Sequence, residues 1–294
     1  MRRVLRWAGY ALAGLVGVVL LGGAAVYGKA EYHVRRRHTP AARHVDLPLL
    51  SDSLSIIEGE RLAGTRGCLG CHGKALEGRV MIDNFLLATV VAPNLTQSTR
   101  RYSDEELERI IRYGVRPDGR SVVVMPSSMY HALSDEDLAR ILAFIRSLPL
   151  AEGHSARVSL GPLARLMFAV GRFTTEADRL AADSSVPPTV RPHLSAREDT
   201  LALGWYLART SCTECHGLDL TGRDGGAPHL AIARTYSLDQ FGSFFQTGKT
   251  RDGRETEMMS SVARNRFSNF TPAEVAALHT YLQTLPIPGV PATD

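Results

Sequence analysis

Cys68-Leu69-Gly70-Cys71-His72 and Cys212-Thr213-Glu214-Cys215-His216 use all four cysteines of the chain. Two thiols three positions apart can add to the two vinyl groups of one porphyrin, and the histidine that follows can offer its imidazole to the iron. Each segment therefore carries covalent tethering and proximal ligation together. Two covalently bound haem c groups are expected, attached at Cys68, Cys71, Cys212 and Cys215 and ligated by His72 and His216. A zinc ribbon sets its two CxxC pairs roughly 15–20 residues apart, whereas these pairs lie 144 apart, each with its own histidine. A dithiol redox motif has no use for that histidine. With four thiols consumed, no structural disulfide is expected.

The elements that must position these motifs occur twice. Gly78-Arg79 matches Gly222-Arg223 at the offset of the motifs, 144; Ala92-Pro93-Asn94-Leu95 matches Ala227-Pro228-His229-Leu230 at 135. Tyr102-Ser103 and Asp118-Gly119-Arg120 match Tyr236-Ser237 and Asp252-Gly253-Arg254 at 134, and Ser147-Leu148-Pro149 meets Thr284-Leu285-Pro286 at 137. The chain is a tandem repeat, and its units read as helical. Ser103 and Glu106 form a capping box before a helix carrying Leu107, Ile110 and Ile111 that stops at Gly114. Ser134-Asp135-Glu136-Asp137 and Thr271-Pro272-Ala273-Glu274 open two last helices, with Ile141, Phe144 and Ile145, and Leu278, Tyr281 and Leu282, as their apolar stripes. Short helices around residues 56–63 and 201–208 precede the motifs, with Gly59 and Gly204 able to admit a close neighbour.

A glycine-bearing first helix, CxxCH, a Pro-Asn-Leu-like turn, a methionine and a last helix with an aromatic resemble class I cytochrome c over residues 53–150 and 197–287. The resemblance implies that Gly59 packs near Phe144 and Gly204 near Tyr281. It also implies that the carbonyls of Pro93 and Pro228 accept the ring N–H of the proximal histidines, fixing their tautomer. The sequence departs from the pattern in a long insertion between Gly78 and Ala92 and in the histidine of Ala227-Pro228-His229-Leu230. The expected fold is all-α: two tandem class I cytochrome c domains after one N-terminal transmembrane helix. Its parts are an anchor or signal (1–28), a stem (29–52), the first unit (53–150), an interdomain segment (151–196), the second unit (197–287) and a tail (288–294). Residues 162–170 are expected as one short apolar helix packed on a haem unit, and Pro187, Pro188 and Pro192 give the segment a linker-like end.

The group opposite each proximal histidine decides between carrier and catalyst. Methionine leads in both units, because the offset of the Asp-Gly-Arg triplets places Met125 on Met259. Met129, Met258 and the distant Met81 are the rival sulfurs. His131, His154, His193, His229 and His279 are rival imidazoles, and neither His131 nor His229 has a repeat counterpart. Arg79 with Arg223, and Arg120 with Arg254, recur in both units and could meet haem propionates, although solvated loop arginines are the simpler reading.

Residues 7–27 carry no charge, enough for one helix across a hydrocarbon core of about 30 Å. The rival is a cleaved signal, with Gly28 and Ala30 preceding a cut before Glu31. Lys29, Arg35, Arg36 and Arg37 make the far flank as basic as Arg2, Arg3 and Arg6, so charge alone does not orient the helix. Haem attachment to CxxCH resembles known systems in taking place outside the cytoplasmic membrane, which puts the haem units in the periplasm. The arginines after the helix read as a solvated stem. Net charge is +4 and no basic stripe is interleaved with aromatics, so no nucleic-acid partner is expected. Nor is there a Gly-rich nucleotide loop or a metal-carboxylate cluster. The expectation is a membrane-anchored dihaem electron carrier, free or as the cytochrome subunit of a dehydrogenase, exchanging electrons with a dehydrogenase, another cytochrome or a terminal oxidase. The alternatives are a dihaem enzyme of the peroxidase or thiosulfate-oxidising kind with one open iron, and a haem-based sensor.

Overall fold

The structure is a computed structural model and describes residues 2–39, 47–48, 50–182, 199–222 and 226–287. Helix α1, Arg2–Arg35, contains a window of mean hydropathy 2.0 with none of it buried against the rest of the chain, so it is long and apolar enough to cross a membrane.

The first unit is built from α2 (Ser53–Thr65), α3 (Cys68–His72), α4 (Leu95–Arg101), α5 (Asp104–Tyr113), α6 (Ser127–Tyr130) and α7 (Asp135–Ser147). Asp52, Ser103 and Ser134 cap α2, α5 and α7 by accepting backbone N–H groups, and Glu106 closes the capping box on Ser103. Gly114, at φ 66°, ends α5 in the left-handed region. Helices α2 and α7 cross at Gly59, where a Cβ would overlap the carbonyl oxygen of Arg140 and lie 2.9 Å from the Cβ of Phe144. Leu62, Leu138, Ile141 and Leu142 fill the core beside that crossing.

The insertion and the interdomain segment, which have no repeat counterpart, come together. Strands β1 (Arg79–Asn84) and β2 (Ala88–Ala92) form an antiparallel hairpin, and β3 (Arg157–Leu160) pairs antiparallel with β2 through Thr89 with Ser159 and Val90 with Val158. Among the described residues the mostly helical chain thus carries one three-stranded sheet that the helical reading did not contain. The Val90-Val91 run, between small residues, suits a strand better than a helix. Helix α8, Pro162–Ala169, forms where expected and meets the first unit at the tip of the β1–β2 hairpin, where Leu163 N–H donates to the Leu86 carbonyl. It lies against the end of α1: Arg165 stacks over the Tyr27 ring at 4.2 Å and pairs with Glu31, and Ala30 is fully buried. An apolar helix whose single cation has a carboxylate and a ring on α1 is held there by both.

Helix α9, Glu176–Ala182, returns to the first unit, where Glu176 accepts the Ser128 N–H at 2.9 Å and Ser121 accepts that of Ala177 at 3.0 Å. Of the arginines after α1, Arg36 pairs with Asp178, whereas Arg37 is exposed as expected, its backbone bridging to Arg120 while His38 N–H donates to the Gly119 carbonyl at 2.8 Å. Pro187, Pro188, Pro192 and His193 lie outside the described residues.

The second unit repeats the plan with α10 (Thr200–Ser211), α11 (Thr213–His216), α12 (Leu238–Thr247), α13 (Glu257–Asn265) and α14 (Pro272–Gln283). Thr271 and Glu274 form the expected capping box, with Pro272 in the first turn. Helices α10 and α14 cross at Gly204, where a Cβ would overlap the Ala277 carbonyl and meet the Tyr281 Cβ at 2.5 Å. Both glycine contacts implied by the resemblance are present. An aromatic cluster of Phe241, Phe244, Phe245, Phe267 and Phe270 fills this second core.

Candidate functional site

Each CxxCH segment is a single helical turn, so its two thiols and its histidine leave the backbone from one short, rigid piece. His72 and His216 are both buried. Burial also pushes the thiols up, Cys68 to about 11 and Cys212 to about 12. Among the described residues, no group of three or more His, Cys, Asp or Glu side chains is placed to hold a metal ion.

The chain after each histidine folds identically in the two units. Gly78 N–H donates to the His72 carbonyl at 2.7 Å and Gly222 N–H to that of His216 at 2.8 Å. Leu76 and Leu220, at φ 58° and 62°, adopt a left-handed conformation that is costly for leucine, and both are buried. Gly78 and Gly222, at φ 82° and 90°, pass so close to the proline turn that a Cβ would meet the Ala92 or Ala227 carbonyl at 2.6 or 2.5 Å. That close pass carries the turn to the imidazole. His72 Nδ1 lies 2.8 Å from the Pro93 carbonyl, and His216 Nδ1 lies 2.7 Å from that of Pro228. A carbonyl cannot donate, so Nδ1 carries the proton and Nε2 keeps its lone pair. Burial lowers both histidine pKa values, opposed by these hydrogen bonds, and keeps the neutral form that can ligate a metal. Paired thiols and an oriented imidazole on one turn fit a covalently attached haem.

The register between the units persists beyond the proximal side. Val115 bridges to Ser121 and Lys249 to Glu255, Arg116 N–H donates to Arg120 and Thr250 N–H to Arg254 at 2.9 Å each, and Gly119 and Gly253 sit at φ 79° and 80°. All these pairs stand 134 positions apart, so Met125 and Met259 each leave the hairpin four residues after its closing bridge. Their local settings then differ, because Met259 is on α13 whereas Met125 precedes α6. Met259 is half-buried against the second core, while its neighbour Met258 is 71% exposed. Met129, on α6, is 1% exposed.

The rival imidazoles in the two units have other partners. His131 Nδ1 lies 3.1 Å from the Arg112 carbonyl, His229 Nδ1 accepts the Ala231 N–H at 2.9 Å, and His279 Nε2 lies 2.9 Å from the Tyr236 carbonyl. Arg120 and Arg254 each pair with the aspartate of their own triplet at 2.6 Å, Arg79 donates to the Gly70 carbonyl at 3.1 Å, and Arg223 lies outside the described residues.

Comparison with known proteins bears on the same two regions: the family described as cytochrome c matches residues 56–149 and residues 201–286. The chain belongs to the cytochrome c family. It is 25% identical over 280 residues to the fructose dehydrogenase cytochrome subunit of Gluconobacter japonicus, covering 84% of this chain and 54% of that protein. It is 23% identical over 273 residues to the cytochrome c subunit of the quinone alcohol dehydrogenase of Gluconacetobacter polyoxogenes, and 24% identical over 274 to that of Gluconobacter oxydans. Each match covers 80% of this chain and 57% or 56% of the relative. The chain thus spans about half the length of these relatives.

The two cytochrome c domains meet through a polar face that no local pattern in the sequence announces. Arg66 is buried with Asp137 at 3.7 Å and with its guanidinium 5.5 Å from the centre of the Tyr206 ring; it donates to Ser211 at 3.3 Å, and Tyr206 hydroxyl donates to Asp137 at 2.6 Å. Tyr130 hydroxyl donates to the Arg66 carbonyl at 2.9 Å, and Arg61 forks onto both Glu274 oxygens at 2.7 and 2.9 Å. Arg266 reaches from the second domain to the first. Its guanidinium carbon lies 2.5 Å from where a Cβ on Gly67 would stand, and it donates to Glu214, between the second pair of cysteines, at 3.2 Å. Its charge acts on both Cys68 and Cys212, so one cation serves both attachment turns. Two of its buried nitrogens have no hydrogen-bond partner among the described residues. Only the charge of Glu214 inside its CxxCH hinted at this contact from sequence.

Proposed function

We propose that this chain is a dihaem electron-transfer subunit held to the cytoplasmic membrane by α1, with its haem domains in the periplasm and with His72–Met125 and His216–Met259 as axial pairs. The observation that supports it most is the duplicated proximal geometry, in which two attachment turns each present an imidazole oriented by a proline carbonyl at 2.8 and 2.7 Å. When bound, haem iron supplies one-electron exchange between its ferric and ferrous states. The chain's residues set the terms of that exchange. Pro93 and Pro228 fix which nitrogen faces the metal. The thioethers of Met125 and Met259, neutral and soft, favour the reduced state and raise the potential. With both axial positions filled by protein, no position is left for substrate.

Arg266 favours the reduced state at both sites, because adding an electron beside a buried cation is stabilising. Arg266→Gln should lower both midpoint potentials together, on the order of tens of millivolts by Coulomb's law at an effective dielectric near 20. Arg266→Lys should recover most of the loss. A redox titration of both variants checks this, and a shift confined to one haem contradicts it.

The relatives are cytochrome subunits of fructose and alcohol dehydrogenases, which supports a dehydrogenase as electron donor. Copurification from native membranes should bring one down with this chain. Two haems per polypeptide should survive denaturation and appear in a pyridine haemochrome titration. Cys212→Ala should impair only the second site. One haem per wild-type chain would overturn the reading.

A further inference from the structure

We propose that the hairpin tip of β1–β2 and helix α8 form a second, peripheral contact with the bilayer beside α1, dipping apolar side chains into the headgroup boundary. The inference rests on the reading of α1 as a membrane anchor. Its own observation is the composition of α8. The buried side of this helix holds Ala164, Phe168 and Ala169, yet the opposite side, Leu163, Leu166 and the capping residue Val170, is apolar too and stands 46%, 40% and 59% exposed. A helix on a watery surface carries a polar outer face; one that is apolar all round needs an apolar surrounding on both sides. The only charged residue of α8, Arg165, is turned onto Tyr27 and Glu31 of α1.

Those two partners fix the depth of α8. Tyr27 closes the uncharged stretch of α1 and Glu31 lies one turn further on, so α8 sits within about 6 Å, along the α1 axis, of the end of the apolar span. That is the level at which tyrosine and arginine side chains occupy the membrane boundary. The hairpin tip is fastened to the same place. Leu163 N–H donates to the Leu86 carbonyl at 2.9 Å, and Gly161 N–H to that of Leu87 at 2.8 Å. Hairpin tips are usually built from Gly, Asn, Asp and Pro, but here Asn84 closes the turn by accepting the N–H groups of Leu86 and Leu87, and the tip itself is Phe85 and Leu86, 82% and 49% exposed. Both pieces belong to the segments without a counterpart in the haem repeat. Because α9 and the stem tie this platform to the first haem domain, the contact would also fix how that domain faces the membrane.

The test is photocrosslinking of the full holoprotein in vesicles of phosphatidylcholine and phosphatidylglycerol (3:1) that carry a diazirine near the glycerol backbone, with the modified peptides identified by mass spectrometry. The expected result is labelling of α1 near Tyr27 and of the peptides containing Phe85–Leu86 and Leu163–Val170, several-fold above the peptide containing Leu54 and Ile57, which is as exposed and apolar but lies on α2. The triple variant Leu163→Ser, Leu166→Ser, Val170→Ser should lose the α8 signal and keep the α1 signal. Labelling of α1 alone would overturn the proposal and leave the anchor standing. No labelling at either place would overturn both. With benzoylphenylalanine substituted at Phe85 or Leu166 as a second probe, crosslinks to a copurifying subunit or a second copy rather than to lipid would overturn it in favour of a protein partner.

Discussion

Gly204→Ala should destabilise the second domain and lower its haem content, and Gly59→Ala should do the same to the first. In each case one added carbon overlaps a main-chain carbonyl across the helix crossing, of Ala277 or Arg140, with a partner Cβ immediately behind it. Backbone cannot step aside as a flexible side chain can, so the helices must separate and open the core around them. Overpacking of this kind costs roughly 3 kcal/mol or more, against a total stability of about 5–15 kcal/mol. The apparent melting temperature should fall by roughly 10 °C, and the haem of the affected domain should be under-represented in the product. Gly242→Ala is the control: its added Cβ meets nothing nearer than Val275 Cγ1 at 3.8 Å, inside α12. There the better helix former should be neutral or should stabilise by up to about 1 kcal/mol. Thermal unfolding and haem content of the three variants check this. A tolerated Gly204→Ala would contradict the crossing.

Met259→Ala and Met125→Ala should each open one haem and lower its potential. The shift should be a sizeable part of the ~0.8 V range that axial ligands command. The neighbouring sulfurs should behave differently for reasons visible in their burial. Met258 is mostly exposed, so Met258→Ala should change neither stability nor spectrum. Met129 is fully buried on α6, so Met129→Ala should destabilise by roughly 2–5 kcal/mol while leaving the sulfur-to-iron absorption band in place. Potentiometric titration and the near-infrared band of each variant check the four predictions. If Met258→Ala, and not Met259→Ala, abolished the band of the second haem, the repeat register would be one residue out.

What could be read from the sequence was what depends on local spacing or on the duplication. The five-residue motifs, the capping residues Ser103, Ser134 and Thr271, and the glycines at the helix crossings each announce their role through neighbours a few positions away or through a second copy. The β1–β2–β3 sheet could not be read this way, since β3 joins from beyond α7 and the insertion has no copy to compare. Helix α8 was visible as an apolar segment, but its partner was not, because only the fold places Arg165 on Tyr27 and Glu31. Arg66, Tyr206 and Arg266 escaped notice for the same reason. Each has a partner in the other domain, and nothing local distinguishes a buried arginine from a solvated one.

The claim that this is a carrier with both irons closed is tested most directly by carbon monoxide. Dithionite-reduced wild-type protein, intact in detergent, should show almost no change in its Soret band under saturating gas, whereas Met259→Ala should bind one carbon monoxide per chain. Stoichiometric binding by the wild type at one haem would contradict the account and favour an enzyme or a sensor with one open site.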